Sequence, residues 1–120
     1  MTAPPPVGAY TPIVRAGGWL IVSGQVGIDP ATSHLVSGGT GAELRQAIAN
    51  LEAQLATEDA RLDQVVKTTV FLRHMSDFGP MNEVYKTAFG DHRPARSAVG
   101  VAELPLGALV EIEAWAYVGE

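Results

Sequence analysis

The spacing of apolar residues changes along the chain, and those changes divide it into strands and helices. Between Trp19 and Asp29 the run WLIVSGQVGID is rich in β-branched residues and interrupted by Gly24, which predicts two short strands or one bulged strand. The Asp-Pro opening of DPATSH predicts a turn. After Gly38, Gly39 and Gly41, apolar residues recur at Leu44, Ala47, Ile48, Leu51 and Leu55, the spacing of one helix face. Thr40 and Glu43 stand at its start in the order of a capping box. Asp63–His74 is a β-branched run that predicts a strand. A second helical stripe follows, Phe78, Met81, Val84, Tyr85, Ala88 and Phe89, with Ser76 or Asp77 as its cap and Pro80 in its first turn. Ser97–Ala102 reads as a buried strand, Leu-Pro-Leu-Gly as a turn, and Leu109–Val118 as the last strand.

The order ββ-α-β-α-β-β predicts one α+β domain over residues 1–120, a mixed sheet with two helices on one face. In the last strand, Val110, Ile112, Ala114, Ala116 and Val118 alternate onto the face the helices can cover. Leu109, Glu111, Glu113, Trp115 and Tyr117 occupy the other. Two helices cannot cover both faces, and an exposed row of Trp, Tyr and Leu marks an interface. A second copy of the chain is the expected cover; a half-wet antiparallel sheet is the alternative.

Composition narrows the functional classes. Hydrophobic residues make up 47% of the chain, enough for a core. The 13 acidic and 8 basic residues give a net charge of −5 with no Lys/Arg run, which argues against a nucleic-acid partner. With no cysteine, there is no disulfide, thiolate nucleophile or cysteine-based zinc site. MTAPPPVGAYTP has no basic region followed by an apolar one, so no signal peptide is expected, and no apolar run approaches a bilayer span. A cytoplasmic protein is the expectation. Pro4–Pro6 should be extended until something docks it.

The candidate chemistry is sparse. His34, His74 and His92 lie far apart without ligand spacing, so surface histidines and no metal site are expected. The glycine-rich segments match neither a P-loop nor a dinucleotide fingerprint. Ser23 and Ser97 lack a His–Asp relay. Arg96 remains, a permanent cation at a strand entrance, together with Glu111 on a strand near the same turn. If those strands pair as a hairpin, the two form either a structural salt bridge or a site. Glu113, two residues from Glu111, crowds the carboxylates and should raise a pKa, which suits proton transfer. The arginine fork matches a substrate carboxylate.

These residues also carry a resemblance. GAYTP, IVSGQVGIDPAT, RQAIANLEAQL, VVKTTVFL, DFGPMNEVY, RPARSAVGVAELP and VEIEA, in this order, resemble the Rid family of reactive-intermediate (enamine/imine) deaminases, also called the YjgF family. The resemblance spans nearly the whole chain. It implies a chorismate-mutase-like α+β subunit, a homotrimer and clefts between subunits. It implies hydrolysis of 2-imino or 2-enamino acids such as 2-aminoacrylate to 2-keto acids and ammonia, without metal or organic cofactor. Arg96 would hold the substrate carboxylate and Glu111 would handle the water, while Tyr10, Ser23 and Asn82 would line the cleft. Three departures bear on specificity: GAYTP puts Pro12 where an amide side chain is common, Ala98 stands two positions after the arginine where Cys or Thr is frequent, and Arg93 stands where an apolar residue is frequent. A non-catalytic module sensing a small keto acid in the same cleft is the alternative. Ribonuclease activity, attached to some relatives, sits poorly with the acidic balance, and no sequence feature points to a chaperone.

Overall fold

The computed structural model describes residues 2–119. A sheet of five strands is built from β1 (Ile13–Ala16), β2 (Trp19–Val26), β5 (Val65–Leu72), β6 (Ala95–Gly100) and β7 (Val110–Tyr117), in the order β1-β2-β7-β5-β6. A small separate hairpin joins β3 (Ile28–Asp29) to β4 (His34–Leu35) around the predicted DPATSH turn. Helices α1 (Gly39–Ala56) and α2 (Phe78–Phe89) pack on one face of the sheet. Only β5 and β6 are parallel, because α2 returns the chain in the same direction; every other pair is antiparallel.

The core follows the alternation read in the sequence. Leu20, Val22, Val65, Val70, Leu72, Val110, Ile112, Ala114 and Ala116 point toward the helices and are buried. Leu44, Ala47, Ile48, Leu51 and Leu55 of α1 meet them, with Met81, Tyr85 and Phe89 of α2. Fully burying one of these large apolar side chains contributes about 1.5–3 kcal/mol.

Four sequence expectations need correction. First, Thr40 and Glu43 do not form a capping box. Gly38 is the N-cap, with φ of 115° and no side-chain cap bond. The Thr40 hydroxyl donates to Asp77 Oδ2 at 2.7 Å, and the Glu43 carboxylate accepts the Leu109 backbone N–H at 2.8 Å. These side chains therefore tie the start of α1 to α2 and to the entrance of β7. Asp77 is the N-cap of α2 and makes no side-chain cap bond there, since its carboxylate takes the Thr40 hydroxyl.

Second, β6 and β7 do not form a hairpin. β7 inserts between β2 and β5, and β6 lies on the far side of β5 as an edge strand. The chain from β6 must cross the end of β5 to reach β7, through a tight turn at Pro105–Gly107 where Leu106 has φ of 61°. Third, β6 begins at Ala95 and is not a buried strand. As an edge strand with one face open, it leaves Ala95, Ser97 and Val99 exposed, and only Arg96 and Ala98 are half-buried. Fourth, His92 is not a plain surface histidine: it is half-buried, with Nε2 2.7 Å from the Val65 carbonyl oxygen.

On the face away from the helices, Trp19 packs edge-on against Trp115 and Tyr117, with ring centroids 5.9 and 5.0 Å apart. All three remain 38–44% exposed. The uncovered apolar face expected from the alternation of β7 is therefore present in the single chain.

Candidate functional site

Arg96 is the second residue of β6, and its Cα lies opposite Thr68 of β5. Thr68 is buried among the helices, so Arg96 also turns toward α2. There it meets Phe78, Asn82 and Tyr85, which share one face of that helix. Arg96 Nη1 donates to Asn82 Oδ1 at 2.8 Å. The guanidinium carbon lies 4.7 Å from the Tyr85 ring centroid and 5.4 Å from that of Phe78. Tyr85 is itself fixed: its hydroxyl lies 2.7 Å from Thr68 Oγ1 and its ring stacks on Phe89 at 4.5 Å. Burial pushes the Tyr85 hydroxyl above its ordinary pKa, with the Thr68 bond and the Arg96 charge acting against it.

The partners of Arg96 are thus an amide oxygen and two aromatic faces, all uncharged. The ion pairs among the described residues are Arg15–Glu58, Arg61–Asp63 and Lys86–Glu83, and Arg96 belongs to none. A guanidinium has five N–H donors. Asn82 takes one, and others face a cavity of about 280 Å³ that Lys86, Arg93 and Pro94 also line. This arrangement can take a planar anion from outside the chain.

Glu111 lies elsewhere. It is on β7 opposite Phe71 and Val26, on the face away from the helices. Between Val22 and Gln25 the register of β2 against β7 shifts, which marks a bulge at Ser23 and Gly24. Gly24 passes directly over the Glu111 carboxyl, and any Cβ there would overlap its oxygen. The Ser23 hydroxyl donates to the Thr11 carbonyl at 2.7 Å, and the Ser23 N–H donates to the Pro12 carbonyl at 2.9 Å. Those bonds fasten the segment carrying Tyr10, whose hydroxyl accepts the Val7 N–H at 3.2 Å. Farther back, Gln54 donates to the Pro4 carbonyl at 3.0 Å, so the proline segment is docked. Tyr10, Ser23, Gly24, Glu111 and Pro105 line a cavity of about 220 Å³ beneath it. Burial raises the Glu111 carboxyl above its ordinary pKa, and the Glu113 charge raises it further.

One chain therefore brings the five candidate residues together as two groups, not one. Arg96 and Asn82 form the first; Tyr10, Ser23 and Glu111 form the second. Arg96 and Glu111 are two strands and three residues apart, roughly 14 Å between Cα atoms, on opposite faces of the sheet. The structural salt bridge between them is excluded within a chain. Sequence reasoning missed the aromatic floor under Arg96, because Phe78 and Tyr85 read as ordinary members of the α2 core stripe. Their spacing around Asn82 was the available signal. Among the described residues, no group of three His, Cys, Asp or Glu assembles that could hold a metal ion.

The family model described as Endoribonuclease L-PSP matches residues 1–118. A mouse protein named 2-iminobutanoate/2-iminopropanoate deaminase is 47% identical over 117 residues, covering 98% of this chain and 87% of its own. A RutC family protein of Pyrococcus horikoshii is 45% identical over 115 residues, covering 96% of this chain and 91% of its own. Among solved structures, RidA from the Antarctic bacterium Psychrobacter sp. PAMC 21119 superposes with a TM-score of 0.94 at 40% identity, covering 98% and 94% of the two chains. Escherichia coli TdcF, solved with bound serine, superposes with a TM-score of 0.90 at 34% identity, covering 96% and 92%.

Proposed function

The chain belongs to the YjgF/Rid family, and from that premise we propose that it hydrolyses reactive 2-imino acids to 2-keto acids and ammonia. One observation carries the reading: the half-buried Arg96 guanidinium lies over the Tyr85 and Phe78 rings and is oriented by Asn82, without a carboxylate partner among the described residues. A fixed, unneutralised fork suits the carboxylate every 2-imino acid carries. The mouse relative bears the name of this activity, and TdcF was solved with an amino acid bound.

The reaction balances simply. An enamine tautomerises to the imine, water adds across the C=N bond, and the carbinolamine expels ammonia to leave the C=O group. Glu111 takes a proton from the attacking water and returns it to the departing nitrogen. Its raised pKa suits both directions of that transfer. Tyr10 and Ser23 shape the wall around it. Because one chain holds the clamp and the carboxylate on opposite faces, the complete site takes Arg96 and Asn82 from one copy and Tyr10, Ser23 and Glu111 from another. A homotrimer closes three such clefts and covers the Trp19, Trp115 and Tyr117 face.

The test generates 2-aminoacrylate in place with a serine dehydratase and follows ammonia release. The protein should accelerate it, and Glu111→Gln should abolish turnover while still binding a keto acid. Binding by the parent protein without turnover would replace this reading with a keto-acid sensor.

A further inference from the structure

The clamp has a cationic extension that a simple 2-imino acid leaves unused. Three of the chain's eight Lys and Arg residues, Lys86, Arg93 and Arg96, line the one 280 Å³ cavity, in a protein of net charge −5. Among the described residues, no Asp or Glu lines it. The side chains are not equivalent. Lys86 pairs with Glu83 at 3.3 Å and is partly neutralised. Arg93 belongs to no ion pair among the described residues; its Nε–H donates to the Gly90 carbonyl at 2.6 Å, which anchors the side chain and leaves both Nη groups available.

A single carboxylate has two oxygens, and the Arg96 fork can satisfy both. A monocarboxylic ligand would then leave Arg93 facing only water and the positive charge of its neighbours. A second anionic group in the same cavity would answer that charge. We propose that the pocket selects dicarboxylic 2-imino acids, with Arg96 on the carboxylate next to the imine and Arg93, assisted by Lys86, on the side-chain carboxylate. This inference rests on the deaminase reading and names its substrate class.

Two measurements on the intact protein test it. Binding of 2-oxoglutarate is compared with that of 2-oxobutanoate by calorimetry. Imine consumption is compared between 2-iminobutanedioate, made from L-aspartate by its oxidase with O2 as acceptor, and 2-iminopropanoate, made from alanine by an amino-acid oxidase with the same acceptor. The dicarboxylic member of each pair should be favoured by about tenfold, the effect of one added charge-assisted hydrogen bond. The preference should shrink in 0.5 M salt, a condition chosen at roughly that strength to screen an open pocket. Arg93→Gln should remove most of the preference, Lys86→Gln a smaller part, and Arg93→Lys should restore some of it. Equal handling of the two classes, or a preference untouched in both glutamine variants, would overturn the inference and leave the deaminase reading standing. If neither imine is consumed faster than in buffer, the deaminase reading falls and this inference with it.

Discussion

Arg96→Lys separates charge from geometry at the clamp. Lysine keeps the positive charge and a side chain of similar reach, and gives up the planar fork. In the parent protein the fork lies over the Tyr85 and Phe78 rings and is turned by Asn82, so its orientation is set before any ligand arrives. An ammonium can make one of the two parallel bonds to a carboxylate. Losing the other removes about 1.5–3 kcal/mol. Losing the stacked orientation adds about 0.5–1 kcal/mol. Together these amount to about 2–4 kcal/mol, or a fall in kcat/KM of about 30- to 1,000-fold. The assay is imine consumption by a purified variant at several substrate concentrations. Thermal unfolding serves as the control. Because Arg96 has no carboxylate partner among the described residues, the variant should lose only about 1 kcal/mol of stability, the scale of one half-exposed hydrogen bond. A folded variant with activity within about threefold of the parent would refute the clamp.

Three further outcomes follow from the second group of residues and from the open face. Glu111 must be ionised to accept a proton, and its pKa is raised, so kcat/KM should fall on the acid side at a pH above the ordinary carboxylate value of 4.5. Glu113→Gln removes the smaller of the two causes, so the limb should move to lower pH without reaching that value; a pH–rate profile with an unmoved limb would sink the assignment. Gly24→Ala should displace the Glu111 carboxylate, a flexible side-chain end, and leave a folded protein with turnover reduced about 10²-fold, which full activity in that variant would contradict. Trp115→Glu should disperse the proposed trimer in analytical ultracentrifugation and abolish turnover while helix content by circular dichroism persists, whereas an active monomer would refute the shared site.

Legibility in the sequence stopped at pairing. Period-two alternation in Leu109–Val118 and helical spacing from Leu44 to Leu55 are local signals, and the structure buries those residues on the expected faces. β1 escaped notice, although Gly17-Gly18 between Ile13–Ala16 and Trp19–Val26 is a hairpin signal, and Gly17 takes a φ of 61° in that turn. Thr40 and Glu43 matched a capping pattern while their side chains were committed to Asp77 and Leu109, partners 37 and 66 residues away. No local rule reaches that far. The same limit put the strands of Arg96 and Glu111 side by side as a hairpin. Arg96 and Glu111 were both identifiable as chemistry, but the insertion of β7 between β2 and β5 is a matter of global topology. Only with that strand order known does the alternation put the two on opposite faces.

That separation has an energetic sense on the proposed reading. An arginine and a glutamate in contact within one chain would pair, lowering the glutamate pKa and occupying the fork. The clamp would then have to break an ion pair to bind substrate, and the carboxylate would be a poor proton donor. With roughly 14 Å between their Cα atoms and their side chains on opposite faces, their attraction is at most about 0.3–1.2 kcal/mol for effective dielectric constants between water and a protein surface. Within one chain, Arg96 stays available to an incoming carboxylate, and Glu111 keeps the elevated pKa that burial and Glu113 give it. On that same proposal, the substrate sits where two copies meet, with its carboxylate on the fork and its imine carbon toward the glutamate. The ligand's own charge then supplies the counter-ion that the fold withholds from Arg96.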